Sequence, residues 1–220
     1  LASSLGLALR CSPKQVDHYF CELLESKALM DHLEDWKISR PWLRDSTLVP
    51  GRRVVWYAAV RLLKPKLVVE TGVHHGLGAL VIISALKKNL EEGFEGRYIG
   101  TDIDPSAGSM ISGDYSAWGT VLYGDSLRSL ESLGQSIDIF INDSNHSADY
   151  ELAEYFTIEH ILSPNALVIG DNTHTSESLN LWSREKGRDF LLLYEKPKDH
   201  WYPGAAVGLS IPATKPAKSW

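Results

Sequence analysis

Two carboxylates and an amide follow two neighbouring apolar runs of the sequence. Asp143 comes after the run 137–141, and Asp171 and Asn172 follow the run 166–170. If both runs are parallel strands, their carboxyl ends share one edge of a sheet, and the three side chains lie together. Carboxylate and amide oxygens are the ligands that Mg²⁺ and Mn²⁺ prefer. The spacing therefore predicts a metal site formed by Asp143, Asp171 and Asn172.

A histidine stands close to this predicted metal site. His146 lies three residues after Asp143, in the stretch D-S-N-H-S-A-D-Y at 143–150. Imidazole has an ordinary pKa near ~6.5 and accepts a proton at neutral pH. His146 is therefore the candidate general base for a hydroxyl whose pKa the metal ion lowers. The alternative is that His146 caps a helix beginning near Ala148 and that residues 171–172 are ordinary loop residues.

A glycine-rich loop marks a second candidate site. The apolar run 67–69 ends in Glu70, which is followed by Gly72, Gly76 and Gly78 and then by an apolar helical pattern. Glycines permit a sharp turn and a close approach of the backbone to a ligand, and the start of a helix offers free N–H groups. This layout predicts a nucleotide-type cofactor site. A dinucleotide site would read GxGxxG, so the spelling disfavours an oxidoreductase of that kind.

Acidic residues also end the next two predicted strands. Asp102 ends the run 98–102, and Asp125 and Ser126 follow the run 120–123. Each of these residues alone could be a helix cap or a turn residue. Their order, at the spacing of successive strand–helix units, favours a shared ligand site instead.

The motif E-T-G-V-H-H-G-L-G at 70–78, together with these acids, resembles the class I S-adenosylmethionine-dependent methyltransferases. The resemblance implies that Asp102 binds the ribose of S-adenosylmethionine, and that Asp125 and Ser126 contact its adenine. The cofactor-binding residues it implies are Glu70, Gly72, Gly76, Asp102, Asp125, Ser126 and Asp143.

The residues after the fourth and fifth predicted strands resemble those of the metal-dependent O-methyltransferases of the catechol type. The pattern D-x-x-H-S-x-x-Y is similar to that of sugar and macrolide O-methyltransferases. In catechol-type enzymes a lysine stands where this chain has His146. The resemblance implies Mg²⁺- or Mn²⁺-assisted methylation of a hydroxyl on a natural product, sugar or diol-like small molecule. Metal-independent O- or N-methylation and a non-catalytic binding domain remain as alternatives.

The alternation of apolar runs and helical segments after residue 66 predicts an α/β fold. We expect a Rossmann-like, seven-stranded, mostly parallel sheet with helices on both faces. The predicted strands are 67–70, 98–102, 120–123, 137–141, 166–169, 190–194 and 206–211. The predicted helices are 12–33, 54–63, 78–89, part of 107–116, 127–132, 148–161 and 176–186.

Proline and glycine residues at 40–51 interrupt this pattern and divide the chain. They predict an N-terminal helical extension or lid at 1–50, a cofactor-binding domain at 51–212 and a flexible tail at 213–220.

Composition limits the partners that we expect. A net charge of −6, with basic residues scattered along the 220-residue chain, disfavours a nucleic acid. No apolar run approaches the ~20 residues that cross a bilayer, so we expect no membrane partner. Two cysteines without metal-type spacing suit a reduced, cytoplasmic protein. A small-molecule acceptor is the expected partner, and a homodimer is an open option.

Overall fold

The computed structural model describes residues 1–42, 48–195 and 204–213. The described strands are β1 (Leu67–Thr71), β2 (Arg97–Asp102), β3 (Gly119–Tyr123), β4 (Ile137–Asn142), β5 (Leu162–Gly170), β6 (Arg188–Glu195) and β7 (Ala205–Pro212). The described helices are α1 (Ala2–Leu9), α2 (Pro13–Leu24), α3 (Lys27–Ile38), α4 (Val54–Leu63), α5 (Leu77–Glu91), α6 (Ser126–Glu131), α7 (Ala148–Ile158) and α8 (Ser178–Glu185). All seven predicted strands are present. The predicted tail lies, from residue 214 on, outside the described residues.

The strands form one sheet in the order β3-β2-β1-β4-β5-β7-β6. Strands β1 to β5 run parallel to one another, whereas β7 is antiparallel to both of its neighbours, β5 and β6. The predicted α/β fold with a mostly parallel sheet is therefore confirmed. The strand order reverses between β1 and β4, and ligands of open α/β sheets bind at the carboxyl ends of the strands beside such a reversal.

The register of the central strands aligns the loops that follow them. Thr71 pairs with Asn142, and Asn142 pairs with Gly170. The hydrogen-bonding pattern continues past the strand ends, where the Asp143 amide donates to the Thr71 carbonyl and the Asp171 amide to the Asn142 carbonyl. The first residues after β1, β4 and β5 therefore lie side by side.

Helices cover both faces of the sheet, as predicted. Alternate residues of β1 face opposite sides, so Val68 belongs to one buried apolar cluster and Val69 to the other. Residues of α1 to α5 pack in the Val68 cluster, and residues of α6, α7 and α8 pack on the Val69 side. A strand that is buried on both faces is expected to read as a continuous apolar run, which explains the composition of β1 and β4.

The helix predicted over 12–33 is wrong in its continuity. Helix α2 ends at Leu24, and Ser26 caps the start of α3. The Ser26 hydroxyl accepts a hydrogen bond from the Leu29 amide at 3.4 Å. Helix α1 was not predicted. The helix expected within 107–116 is only a short 3₁₀ turn at Gly113–Tyr115.

The N-terminal helices share the core of the sheet domain. Leu5, Val16 and Leu23 are fully buried in the same apolar cluster as Val68. The carboxylate of Glu22 on α2 accepts hydrogen bonds from Tyr57 and Arg61 on α4, at 2.7 and 2.6 Å. Helices α1 and α2 are therefore part of the domain's packing. In the described part of the chain, no helix has both the length and the apolar character required to cross a bilayer.

Two adjacent leucines of α2 test this shared core. Leu23 is fully buried and Leu24 is 52% exposed. We expect Leu23→Ala to lower the free energy of unfolding by about 3 kcal/mol, because it leaves a cavity in the core. Leu24→Ala, as the control, changes it by less than about 1 kcal/mol. Urea unfolding measures both variants, and equal losses would show that α2 does not contribute to the core.

Candidate functional site

A cavity of about 750 Å³ lies at the carboxyl edge of the parallel strands. Residues following β1, β2, β3, β4 and β5 line it, together with the turn that precedes α4. This position is the one expected from the reversal of strand order. The volume lies within the range of ordinary cofactor and small-molecule sites.

The glycine loop after β1 brings backbone to the wall of the cavity. Gly72 has a φ of 84° and lies against the backbone carbonyl of Asp143, where a Cβ atom would collide. Gly76 has a φ of 103° and precedes the first residue of α5. Only glycine adopts such angles without cost. The predicted turn is therefore present, and its tight packing explains both residues.

The acids after β2 and β3 line the cavity and also have local roles. Asp102 accepts hydrogen bonds from the backbone amides of His74 and Asp104, at 2.7 and 2.9 Å. Asp125 caps α6 by accepting one from the Arg128 amide at 3.3 Å. Asp102 is thus a turn residue and Asp125 a helix cap, the local roles that the sequence left open. These hydrogen bonds hold both side chains at the cavity wall.

Glu70 lies behind the glycine loop and does not line the cavity. Its carboxylate is 1% exposed and accepts a hydrogen bond from the Tyr98 hydroxyl at 2.5 Å. Burial raises the pKa of Glu70 to about 7, against an ordinary 4.5. A Cβ atom on Gly78 would collide with this carboxylate, so the third glycine of the loop makes room for Glu70.

A buried carboxylate that sequence reasoning missed connects three of the loops. Glu154 on α7 accepts hydrogen bonds from the side chains of Thr71 at the end of β1, Ser126 after β3, Asn142 at the end of β4 and Ser144 after it. Burial raises the pKa of Glu154, and the donors oppose that rise. The hydroxyl of Ser126 is therefore engaged by Glu154 and also lies 2.9 Å from the Tyr150 hydroxyl.

The three predicted metal ligands lie together, but each accepts a hydrogen bond from an arginine. Arg52 Nε donates to Asp171 Oδ1 at 2.6 Å, and Arg52 Nη2 donates to Asp171 Oδ2 and, at 3.2 Å, to Asn172 Oδ1. Arg53 Nη2 donates to Asp143 Oδ2 at 3.3 Å. Sequence reasoning missed both arginines, which lie in the turn Gly51–Arg53 before α4.

A divalent metal ion does not fit this arrangement. Both oxygens of Asp171, Oδ2 of Asp143 and Oδ1 of Asn172 already accept hydrogen bonds from two guanidinium groups. Burial, together with the neighbouring Asp171, raises the pKa of Asp143 well above its ordinary value. Burial alone raises the pKa of Asp171, but the bonds from Arg52 hold it below its ordinary value. Among the residues described, no three His, Cys, Asp or Glu side chains are arranged to hold a metal ion.

His146 lies at the rim of the site and does not line the cavity. Its Nε2 atom is 3.1 Å from the amide nitrogen of Asn172, which does line the cavity. Its Nδ1 atom is 3.6 Å from a carboxylate oxygen of buried Glu151 on α7. Contact with Glu151 raises the pKa of His146. His146 precedes Ser147, the capping position of α7, whose side chain makes no capping bond.

Comparison with known families identifies the domain around this site. Residues 69–173 match a family model described as a methyltransferase domain. The chain contains a methyltransferase domain. The match spans the glycine loop, both cavity acids and the Asp171-Asn172 pair, which are the features of the resemblance noted in the sequence. Among curated proteins, a search found no match.

Solved structures of methyltransferases share the fold of this domain. An O-methyltransferase from Bacillus cereus in complex with S-adenosylhomocysteine has a TM-score of 0.67 and 16% identity, covering 90% of this chain and 97% of that chain. The O-methyltransferase TomG from Streptomyces achromogenes, in complex with S-adenosylmethionine, has a TM-score of 0.61 and 19% identity, covering 90% and 96%. At these identities the likeness shows the fold of the methyltransferase domain.

The raised pKa of Glu70 predicts a pH dependence of stability. The folded state binds this proton more tightly than the unfolded state, so its stabilising effect is full below pH 4.5 and is lost as the pH rises through about 7. We expect Glu70→Gln, which cannot titrate, to lack this part of the dependence. Between pH 5 and 8, wild type should lose on the order of 2 kcal/mol more than the variant in urea unfolding. Parallel curves for the two proteins would refute the assignment.

Proposed function

We propose that this methyltransferase domain transfers the methyl group of S-adenosylmethionine to an oxygen of a small-molecule acceptor, with His146 as the base and without a divalent metal ion. The observation that supports it most is the cavity at the carboxyl edge of the sheet, lined by the glycine loop, by Asp102 and Asp125, and by Asn172, the neighbour of His146. The likeness to O-methyltransferases of known structure favours oxygen as the acceptor atom. We propose the metal-free form because arginines pair with the residues first expected to bind Mg²⁺.

The cofactor end of the cavity is proposed to lie between the glycine loop and the residues after β3. Gly72 admits a ligand close to the backbone, and Asp102 is placed to accept from the ribose hydroxyls. The Thr101 hydroxyl is buried, has no partner and lines the cavity, so it is a further candidate for a cofactor contact. Asp125 and the backbone of Ser126 are proposed to contact the adenine. Bound S-adenosylmethionine supplies an electrophilic methyl group on a sulfonium.

The acceptor is proposed to enter on the side of the cavity where Asp143 and Asn172 lie. An acceptor hydroxyl is proposed to bind beside Asn172 and to give its proton to His146 Nε2, which lies 3.1 Å from the Asn172 amide nitrogen. Glu151, on the Nδ1 side of the ring, stabilises the imidazolium that forms. A natural product, a sugar or a diol-like small molecule is the proposed acceptor.

Ligand binding tests the cofactor assignment. We expect S-adenosylhomocysteine at about a hundred times its Kd to raise the Tm by about 5 °C or more, because it binds only the folded state, and NAD to have no effect. Asp102→Ala should weaken S-adenosylhomocysteine binding at least about tenfold in calorimetry. Exposed Asp149→Ala is the matched control and keeps wild-type affinity. A shift with NAD and none with S-adenosylhomocysteine would contradict the assignment.

Methyl transfer tests the proposed base. We expect His146→Ala to lower kcat by roughly 10²- to 10⁴-fold and to leave the Kd for S-adenosylhomocysteine unchanged. The assay follows transfer from methyl-labelled S-adenosylmethionine to a panel of catechols and methyl glycosides. His160→Ala, a change of an exposed histidine outside the cavity, is the control. Unaltered turnover in His146→Ala would eliminate it as the base.

A further inference from the structure

We propose that the guanidinium groups of Arg52 and Arg53 occupy the place that a divalent metal ion would take at this site. Removing these two groups should therefore create a metal-binding site. The proposal deepens the metal-free part of the proposed function. Metal binding alone tests it, so the result does not depend on the identity of the acceptor or on the role of His146.

Arg52 holds the stronger of the two pairs. Its guanidinium donates through two nitrogens to both oxygens of Asp171, whose side chain has no exposed surface. Such two-point pairs match the planar shapes of guanidinium and carboxylate. A metal ion that binds Asp171 has to break this pair and leave a positive group without its partner, which is costly for a buried charge.

Arg53 is fixed from two sides. Its Nη2 atom lies 3.3 Å from Asp143 Oδ2, and its guanidinium lies over the Trp56 ring, 5.0 Å from the ring centroid. The side chain of Arg53 is 23% exposed, and both Arg53 and Asp143 line the cavity. The aromatic contact adds cation–π attraction that holds the charge in place.

The positive charges of these four residues equal or exceed the negative charges. The two guanidinium groups carry two positive charges. The two carboxylates carry at most two negative charges, because burial and the neighbouring Asp171 raise the pKa of Asp143 well above its ordinary value. A bound Mg²⁺ would therefore leave an excess of at least two positive charges in a partly buried site. Without the arginines the same residues offer two neighbouring carboxylates and the Asn172 amide oxygen, which is the donor set of a Mg²⁺ or Mn²⁺ site.

The experiment compares wild type with Arg52→Gln/Arg53→Gln, using MnCl₂ or MgCl₂ as the only added ligand. In wild type we expect no Mn²⁺ binding in calorimetry and the same Tm in Mn²⁺ as in EDTA. In the double variant we expect one Mn²⁺ to bind, and Mn²⁺ at about a hundred times its Kd to raise the Tm by about 5 °C or more. Asp171→Asn in that background should abolish the gain.

A matched variant separates charge from shape. Arg52→Lys/Arg53→Lys keeps both positive charges but loses the two-point pair. We expect it to remain without Mn²⁺ binding, as wild type does. Mn²⁺ binding by the lysine variant that equals binding by the glutamine variant would show that charge does not exclude the ion, and would overturn the proposal.

Other outcomes also decide the question. Mn²⁺ binding by wild type that Asp143→Asn or Asp171→Asn removes would overturn the proposal, as would a folded double variant that binds no Mn²⁺. If the double variant does not fold, Arg52→Gln alone is measured, because it frees both oxygens of Asp171 and the Asn172 amide oxygen. Tighter Mn²⁺ binding than in wild type supports the proposal, and unchanged binding overturns it.

Discussion

Buried negative charge at the carboxyl edge of the sheet is the constraint on which the site depends. Glu70, Glu151, Glu154 and Asp171 have almost no exposed surface, and Asp143 is only partly exposed. Burying a carboxylate is costly unless hydrogen bonds or opposite charges compensate for it. The structure supplies donors for all five: a tyrosine hydroxyl for Glu70, a serine hydroxyl for Glu151, hydroxyl and amide donors for Glu154, and guanidinium groups for Asp143 and Asp171.

This compensation also gives the cavity its shape. The donors to Glu154 come from the ends of β1, β3 and β4, so one carboxylate holds three loops together. The guanidinium groups come from the turn before α4 and attach it to the ends of β4 and β5. A cavity built this way is largely preorganised, because the buried carboxylates keep their hydrogen bonds and ion pairs only when the loops hold these positions. The same set of buried contacts therefore holds both the cofactor side and the acceptor side of the proposed site.

The sequence predicted the sheet well because its signals are local. Apolar runs give the seven strands, and the glycine loop and strand-end acids give the position of the cavity. The helix break at Ser26 was missed because the apolar spacing continues across it, and only the capping hydroxyl marks a new helix. This error leaves the predicted site intact, because Ser26 does not line the cavity.

The charge balance of the site could not be predicted, because it depends on contacts between distant positions. Arg52 and Asp171 are 119 residues apart, and Arg53 and Asp143 are 90 apart. The sequence shows the arginines only as a doublet beside a glycine, which is typical of an exposed turn. In the same way Glu151 and Glu154 resemble the acidic surface of a helix, although both are buried. The side chains of Asp143, Asp171 and Asn172 lie together as the sequence predicted, but the sequence did not reveal the two arginines that pair with them.

The most direct test of this account is a crystal structure of the protein grown with S-adenosylhomocysteine and MnCl₂, with data collected for manganese anomalous scattering. The account predicts S-adenosylhomocysteine beside the glycine loop, Asp102 and Asp125, with Arg52 still paired to Asp171 and no anomalous peak there. A manganese peak between Asp143 and Asp171, with the arginines displaced, would contradict it.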